Sequence, residues 1–305
     1  MEALLKTLRP QLKGKILLNE PLSKHTWLNV GGPAEVLFIP KDLDDLQTFL
    51  QNKPHNIPLH IIGGGSNLLV RDGGIKGFVI KLDSLYFREL KLSKQTLICS
   101  AGVKNMSLKK FLIQNNIGGL EFLCSIPGTL GGAIKTNAGC FGQSISDVLQ
   151  SAVIIDHKGQ IKTISAAEFN FSYRFSNFPP DWIIISLTLK IKHGEPSEIE
   201  QKLKDQMLYR KQNQPYNAKT AGSTFKNPQG QKAWQLIKLA ECENLHIGGA
   251  KMSEKHCNFM INTGNATADD LETLGNTIIE RVKQKTGITL EWEIQRLGQK
   301  DAISD

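Results

Sequence analysis

The chain has 305 residues and carries 37 Lys and Arg against 29 Asp and Glu, which gives a net charge of +8 at pH 7. This length is sufficient for two or three domains with buried cores, and the charge favours polyanionic ligands, either phosphorylated small molecules or nucleic acid. The five cysteines are odd in number and include no C-x-x-C pair, so the sequence supports neither a disulfide framework nor a zinc ribbon.

The N-terminal segment from Met1 to Asn19 is predicted to be a short amphipathic helix followed by a linker. It lacks the apolar centre of a signal peptide, and the apolar run from Trp182 to Leu189 is too short to cross a bilayer. We therefore expect a soluble protein of the cytoplasm. Further along, Asp42 is predicted to cap a helix with four residues on its apolar face: Leu43, Leu46, Phe49 and Leu50.

A short apolar strand from Leu59 to Ile62 leads into three glycines and two small hydrogen-bonding residues: Gly63, Gly64, Gly65, Ser66 and Asn67. Successive N–H groups in such a loop can converge on one anion, and the two side chains add donors. The loop is not a Rossmann fingerprint, because Leu68 stands at the position of the third glycine. It is not a P-loop either, because no Gly-Lys-Ser/Thr follows. A turn at Asp72 to Gly74 and a strand from Phe78 to Leu82 come next.

After a strand at Leu97 to Ser100 and a helix capped by Ser107, glycine density rises again between Gly118 and Gly142. So many glycines predict irregular backbone, neither helix nor strand, that adopts positive φ or lies against a ligand. Pro127 fixes a rigid turn before Gly128, with N–H groups that can face a phosphate. A purely structural loop is the alternative, but two such loops in one chain favour a large cofactor containing pyrophosphate.

The remaining predicted elements are a hairpin and a strand, then two helices and a last strand. A hairpin is predicted from Val153 to Ile164, and a half-buried strand from Trp182 to Lys192, where every second residue is apolar. Ser197 to Glu200 forms a capping box for a helix that should end near Asn213. A second helix is predicted from Thr267 to Thr286, followed by a strand from Ile288 to Ile294.

Six motifs follow one another in fixed order within Thr26 to Gly298: GGGSN, SIPGTLGGAIKTNAG, SYRFS, AGSTFKNP, GGAKMSEKHCNFMIN and LEWEIQRLG. Together they resemble the family of UDP-N-acetylenolpyruvoylglucosamine reductases, in the shorter variant that lacks an extra substrate-covering loop. The resemblance implies an α+β fold in which a two-lobed FAD-binding domain of the vanillyl-alcohol-oxidase type precedes a C-terminal α+β substrate domain. The corresponding boundaries are 1–19 for the helix and linker, 20–195 for the FAD domain with lobes at 20–85 and 86–195, and 196–305 for the substrate domain.

The same resemblance implies non-covalent FAD, NADPH as hydride donor, and a UDP-sugar substrate whose enolpyruvyl group is reduced to give UDP-N-acetylmuramate for peptidoglycan. A monomer with no nucleic-acid or membrane partner is expected. Besides the GGGSN loop, the implied cofactor contacts are Pro127, Gly128, Thr129, Gly131, Gly132, Ala133, Asn137 and Gly139. The implied substrate contacts are Tyr173, Lys226 and Asn227.

Reduction of an enolpyruvyl ether needs a cation that holds the carboxylate and an acid that protonates the carbon next to the one that accepts the hydride. Arg174 provides a planar fork with permanent charge, although an ordinary ion pair is the alternative. Ser223 is predicted to be the proton donor, with Lys226 or a water supporting the alkoxide, and a turn or helix-cap serine is the alternative. Glu293 matches the acidic residue of the family and should share a strand face with Glu291.

Two other functions stay open on the sequence. One is an FAD enzyme of the same fold acting on another substrate, for instance with covalently attached flavin, and the other is a basic nucleic-acid-binding protein. The basic residues are dispersed, which disfavours the second. A metal site at Cys242, His246, His256 and Cys257 is not expected, because adjacent His256 and Cys257 suit a tetrahedral ion poorly.

Overall fold

The computed structural model of the protein describes residues 1–301 as a mixed α+β chain. Its α-helices are α1 (Glu2–Leu8), α2 (Leu43–Asn52), α3 (Leu108–Gln114), α4 (Glu121–Ser125), α5 (Leu130–Lys135), α6 (Ile145–Val148), α7 (Pro196–Asn213), α8 (Ala233–Leu239) and α9 (Ala268–Thr286). Its strands are β1 (Lys15–Pro21), β2 (Pro33–Ile39), β3 (Leu59–Ile62), β4 (Leu68–Val70), β5 (Ile75–Lys81), β6 (Leu90–Ser93), β7 (Thr96–Ser100), β8 (Ile117–Gly118), β9 (Gly139–Cys140), β10 (Gln143–Ser144), β11 (Leu149–Ile155), β12 (Ile161–Ser165), β13 (Ile183–Lys190), β14 (Lys192–His193), β15 (His246–Ile247), β16 (Ala250–Met252), β17 (Met260–Asn262) and β18 (Gln295–Leu297).

Contacts divide the chain into two compact units. Unit 1 comprises Met1–Leu18, Val36–Gly64 and Gly77–Leu208, and unit 2 comprises Asn19–Glu35, Gly65–Lys76 and the chain from Tyr209 onward. Each unit has its own hydrophobic core. None of the helices in residues 1–301 combines the length and apolar character needed to span a membrane.

Unit 1 is built on β-sheets. Its five-stranded antiparallel sheet has the order β12-β11-β13-β7-β6. A second sheet has the order β1-β2-β5-β3, and unit 1 contains all of β3 and most residues of β1, β2 and β5. The predicted hairpin is confirmed as β11 and β12, and its turn is fixed by the Asp156 carboxylate, which accepts the N–H groups of Lys158 and Gln160. The alternation predicts that Ile184 lies on the exposed face of strand β13, but Ile184 is only 5% exposed. The strand is therefore more buried than predicted.

The helix predicted after Asp42 is confirmed as α2. The Asp42 side chain accepts the N–H of Asp45 at 2.9 Å, as its place before an apolar helical repeat predicts. Phe49 packs between Phe38 and Phe78, with ring centroids 4.8 and 4.9 Å apart. The capping residue and the buried apolar face therefore both support the predicted position of this helix.

The prediction that Gly118 to Gly142 is neither helix nor strand is wrong, because α4 and α5 lie inside it. Helix α5 begins after Thr129, whose hydroxyl accepts the N–H of Gly132 at 3.4 Å. An added Cβ on Gly131 would lie 3.0 Å from the Cβ of Ala101, so glycine here permits close packing of a helix. Glycines that serve close packing look the same in a sequence as glycines that serve an open loop.

Three further boundaries differ from the predictions. The expected linker before Asn19 contains β1, which gains its stability from pairing with β2. Ser107 does not cap α3 with its side chain, because its hydroxyl donates to the carbonyl of Lys104 at 2.6 Å. Helix α7 starts at Pro196 rather than after Ser197, consistent with the preference of proline for the first helical turn, and it ends at Asn213 as predicted.

Unit 2 contains α8, α9 and small sheets. Helix α9 matches its prediction: the Thr267 hydroxyl accepts the N–H of Asp270 at 3.0 Å, and Gly287 ends the helix at a φ of +75°. The Asp72 carboxylate accepts two further N–H groups at the start of this helix. The predicted apolar face is buried: Leu271, Leu274, Ile278 and Val282.

The strand predicted from Ile288 to Ile294 is wrong. The observed strand, β18, begins at Gln295 and pairs in parallel with β4. The preceding segment contacts the chain near Thr224 through single hydrogen bonds and one isolated bridge between Phe225 and Trp292. Glu291 and Glu293 therefore do not share the face of a regular strand.

Candidate active site

Two glycine-rich loops lie against each other in unit 1. A Cβ added to Gly63 would stand 2.7 Å from the Thr129 hydroxyl, and one added to Gly64 would stand 2.9 Å from the Cα of Gly128. Real Cβ atoms do not approach other atoms so closely, so no side chain fits between the loops. The structure thus brings together the first part of the GGGSN loop and the turn after Pro127.

The facing backbones leave donors available. Within residues 1–301, the N–H groups of Gly64, Gly128 and Thr129 donate to no protein acceptor, whereas those of Leu130 and Gly131 are bonded to Val103 and Ala101. Unbonded N–H groups on adjoining glycine-rich backbone are typical of an anion site. These residues fit the pyrophosphate of a dinucleotide cofactor.

The second part of the GGGSN loop belongs to unit 2. The carbonyl of Gly65 accepts the N–H of Trp27 at 3.0 Å, and the side-chain amide of Asn67 donates to the carbonyl of Glu293 at 3.2 Å. Asn67 was predicted as a donor to the cofactor. One of its N–H groups instead anchors the backbone of another predicted site residue.

Asn137 links three segments of unit 1. Its amide nitrogen donates to the carbonyl of Ser172 at 2.9 Å, and its amide oxygen accepts the N–H of Ser146 at 3.3 Å. The side chain predicted to contact the cofactor is therefore bonded to protein. Of its neighbours in the predicted set, Ala133 is buried and Gly139 is partly buried.

Arg174 stands at the tip of a tight turn closed by two hydrogen bonds between Ser172 and Phe175. Its φ is +54°, and its guanidinium donates to the carbonyl of Gly139 at 3.0 Å. The guanidinium also lies 5.5 Å from the ring centroid of Tyr173, which is 56% exposed. The structure thus places a permanent positive charge beside the glycine-rich segment of unit 1.

Ser223 and Glu293 come together in unit 2. Ser223 pairs with Phe259 in an isolated antiparallel bridge, and the N–H of Glu293 donates to the carbonyl of Thr224 at 2.8 Å. Both predicted catalytic residues are partly exposed, while Thr224 between their contacts is fully buried. Ser223 and Glu293 therefore lie on backbone segments that are hydrogen-bonded to each other through Thr224.

Two predicted substrate residues have partners within unit 2. The ammonium group of Lys226 lies 3.3 Å from the Glu291 carboxylate, and the amide oxygen of Asn227 accepts the N–H of Ala233 at the start of α8 at 3.0 Å. Lys226 was predicted to support Ser223. Its observed partner is Glu291, which the family pattern did not single out.

Asn105 is a site residue that the sequence did not reveal. It is 1% exposed, and its N–H donates to the carbonyl of Gly128 at 3.0 Å. Both polar atoms of its side chain lack a hydrogen-bond partner among the residues that the structure describes. Nothing in the local sequence distinguishes this asparagine from a surface residue.

Two thiols lie in the glycine-rich stretch, of which Cys124 is buried and Cys140 is partly buried. Burial raises the pKa of Cys124 to about 12, so it is protonated at neutral pH. The sulfur of Cys140 lies 3.2 Å from the Ser125 hydroxyl and 3.3 Å from the Phe122 carbonyl. These contacts favour a packing role for both residues.

Comparison with known proteins gives matches along nearly the whole chain. A family model described as an FAD binding domain matches residues 34–165, and one described as the C-terminal domain of UDP-N-acetylenolpyruvoylglucosamine reductase matches residues 214–297. Proteins named UDP-N-acetylenolpyruvoylglucosamine reductase from Bradyrhizobium sp. and Rhodopseudomonas palustris are 45% and 47% identical. The first alignment covers 97% of this chain and 96% of the relative, and the second covers 96% and 95%.

A solved structure leads to the same family. The crystal structure of UDP-N-acetylenolpyruvylglucosamine reductase from Thermus caldophilus superposes with a TM-score of 0.81 at 32% identity, covering 94% of this chain and 100% of that chain. The resemblance inferred from the six motifs and the expected combination of an FAD-binding domain with a C-terminal α+β domain are confirmed. The chain belongs to the UDP-N-acetylenolpyruvoylglucosamine reductase family.

Proposed function

We propose that the protein is an FAD-dependent, NADPH-driven reductase that converts UDP-N-acetylglucosamine enolpyruvate to UDP-N-acetylmuramate in peptidoglycan precursor synthesis. Family membership along nearly the whole chain carries this proposal. The glycine cradle of unit 1 supports it, because the cradle suits a pyrophosphate. Unit 2 supports it with a serine and a glutamate on adjacent backbone segments.

The cradle would hold the cofactor through backbone donors. Gly64, Gly128 and Thr129 would donate their N–H groups to pyrophosphate oxygens, and the other proposed contacts are Gly63, Gly65, Ser66, Asn67, Pro127, Gly131, Gly132, Ala133, Asn137 and Gly139. FAD, when bound, supplies the transfer of a hydride from NADPH to the terminal carbon of the enolpyruvyl group. No side chain of the protein needs to carry electrons.

Arg174 is proposed to bind the carboxylate of the substrate. A guanidinium presents two parallel N–H donors that match a carboxylate, and its charge persists at every physiological pH. Negative charge builds on the enolpyruvyl group as hydride arrives, so the interaction strengthens towards the transition state. The adjacent Tyr173 is proposed to contact the same substrate.

Ser223 is proposed to donate a proton to the carbon that bears the ether oxygen. Serine is a weak acid, but the carbanion or enolate that it meets is strongly basic. Glu293 is proposed as the acidic partner in this region, either by holding a water or by supplying the proton in turn. Lys226 and Asn227 complete the proposed substrate contacts.

The remaining expectations belong to the same proposal. The chain would consist of an N-terminal segment at 1–19, an FAD domain at 20–195 with lobes at 20–85 and 86–195, and a substrate domain at 196–305. The enzyme would act as a monomer in the cytoplasm, with no nucleic-acid or membrane partner.

Purified protein tests the proposed activity. We expect a yellow protein with one FAD per chain that is released on denaturation, and NADPH consumption that depends on UDP-N-acetylglucosamine enolpyruvate. Flavin that stays with the denatured chain would indicate an enzyme of the same fold with covalent flavin. A colourless protein that binds nucleic acid would contradict the proposal.

A further inference from the structure

The buried side chain of Asn258 bonds to the backbone beside Ser223. Asn258 is 3% exposed. Its amide oxygen accepts the N–H of Phe225 at 3.1 Å, and its amide nitrogen donates to the carbonyl of the same residue at 2.9 Å. The side chain thus makes the pair of bonds that a neighbouring peptide makes in an antiparallel sheet.

Neighbouring groups extend this attachment. The carbonyl of Asn258 accepts the N–H of Thr224 at 2.7 Å, and the Thr224 hydroxyl accepts the N–H of Met260 at 3.1 Å. Ser223 itself pairs with Phe259. Each residue of the segment 223–225 is therefore bonded or bridged to the segment 258–260.

The opposite side of the same segment carries Glu293. The Thr224 carbonyl accepts the N–H of Glu293 at 2.8 Å, and the N–H of Lys226 donates to the carbonyl of Glu291 at 2.9 Å. The segment that carries Ser223 is therefore hydrogen-bonded on both of its sides.

We propose that Asn258 is a positioning residue that holds Ser223 in place for proton donation. The proposal rests on the proposed function of Ser223. A weak acid is effective only when its proton points at the reacting carbon, so small displacements are costly. Without the Asn258 amide, the buried N–H and carbonyl of Phe225 would lack partners, and the segment would move to find new ones.

Asn258→Asp is the most direct variant. It keeps the size and leaves an acceptor for the N–H of Phe225, but it sets a second oxygen against the Phe225 carbonyl. Asn262→Asp is a matched control. Asn262 is 4% exposed, its oxygen accepts the N–H groups of Gly264 and Ala266, and its amide nitrogen donates to the Leu28 carbonyl at 2.8 Å.

The two half-reactions are followed separately by anaerobic rapid mixing. In Asn258→Asp, we expect reoxidation of reduced flavin by the substrate to slow about 10- to 100-fold, while flavin content and reduction by NADPH stay unchanged. In Asn262→Asp, both rates should equal those of the wild type. The thermal midpoints of the two variants should fall by similar amounts, which separates positioning from loss of stability.

A double variant tests whether Asn258 acts through Ser223. Reoxidation in Ser223→Ala combined with Asn258→Asp should be no slower than in Ser223→Ala alone, because the group being positioned is already absent. Effects that multiply, or normal reoxidation in Asn258→Asp, would overturn the positioning role while leaving the proposed function intact. Normal reoxidation in Ser223→Ala would instead refute the general-acid role, and the role of Asn258 with it.

A second variant covers the case in which Asn258→Asp does not fold. Asn258→Ser leaves space for a water that can bond to both polar groups of Phe225, so the segment keeps partial support. It should slow reoxidation less than Asn258→Asp, and its effect should also vanish in the Ser223→Ala background. An effect that persists there would overturn the proposal.

Discussion

The glycine cradle of unit 1 and the Ser223 segment of unit 2 are held in shape by different means. In the cradle, backbone lies against backbone, and a Cβ on Gly64 would stand 2.9 Å from the Cα of Gly128. Around Ser223, a buried side chain adds directional bonds to those between backbone groups, as Asn258 does with both polar groups of Phe225.

The difference matches what each region is proposed to do. A pyrophosphate carries its own charge and needs only N–H groups that converge on it, so glycine, which has no side chain, suits this site best. A proton donor needs one hydroxyl in one orientation, so its backbone must be fixed by directional bonds. Substitutions in the cradle should therefore cause loss of FAD binding, and substitutions around Ser223 should cause loss of rate.

The largest effect is expected in the cradle. Gly64→Asp adds bulk against Gly128 and negative charge where pyrophosphate should bind, so FAD should be lost completely. The flavin absorbance per folded chain measures this. Gly194→Asp is the matched control, since its nearest contacts at 3.6 Å leave room, and it should retain flavin. Normal flavin content in folded Gly64→Asp would refute the cradle.

The next effect concerns rate in unit 2. Ser223→Ala should slow reoxidation of the reduced flavin by substrate roughly 10²- to 10⁴-fold, the usual cost of losing a positioned general acid. Reduction by NADPH should stay nearly intact, because that step requires no proton on the enolpyruvyl carbon. If both steps slow equally, Ser223 shapes the site rather than donating a proton.

Arg174 extends the comparison, because its side chain belongs to unit 1 but is proposed to affect the rate of turnover. Arg174→Lys keeps the charge but loses the fork, so turnover should fall about 10- to 100-fold, the equivalent of one charged hydrogen bond. FAD should remain bound. Arg88→Lys, at an exposed pair with Asp83 in the same unit, should leave turnover unchanged. Equal turnover in both variants would make Arg174 an ordinary structural residue.

The smallest effect is on stability alone. In unit 2, hydrogen bonds from Arg71 hold the pKa of Glu272 below its ordinary value, and Arg296 adds a further contact at 2.9 Å. Because the pKa of this carboxyl is lower in the folded than in the unfolded state, its ionisation stabilises the protein at pH values above the unfolded-state pKa of about 4.3. This stabilisation is lost as the pH falls through the pKa of the folded state.

Glu272→Gln should therefore reduce the free energy of unfolding by about 1.5–3 kcal/mol at pH 7, and the difference from the wild type should shrink below about pH 4. Thermal melts at several pH values measure this. Glu200→Gln, at an exposed pair with Lys204, should change nothing. A pH-independent loss in Glu272→Gln would mean that packing, and not charge, is responsible.

The elements predicted correctly are those specified locally. Helices α2 and α9 could be located from a capping residue and an apolar repeat, because both signals lie within a few residues of the helix itself. The strand predicted from Ile288 was displaced to Gln295, because its pairing with β4 depends on residues far away in the chain.

The site shows the same limit. The glycine loops were visible because their composition is unusual, and Arg174, Ser223 and Glu293 followed from the family resemblance. The burial of Asn105 and the contacts of Asn258 were not visible, because tertiary structure alone determines which side chains are buried and what they bond to. The prediction also missed the short helices α4 and α5 in the glycine-rich stretch, because the close packing that their glycines permit is a property of the tertiary structure.

A single turnover tests the central claim most directly. Protein is reduced anaerobically with one equivalent of NADPH until the flavin colour disappears, and one equivalent of UDP-N-acetylglucosamine enolpyruvate is then added. We predict that the yellow colour returns without oxygen and that the product, identified by mass, is the substrate plus two hydrogens in equal amount to FAD. Flavin that stays reduced until air is admitted, with the enolpyruvyl compound recovered unchanged, would contradict the account.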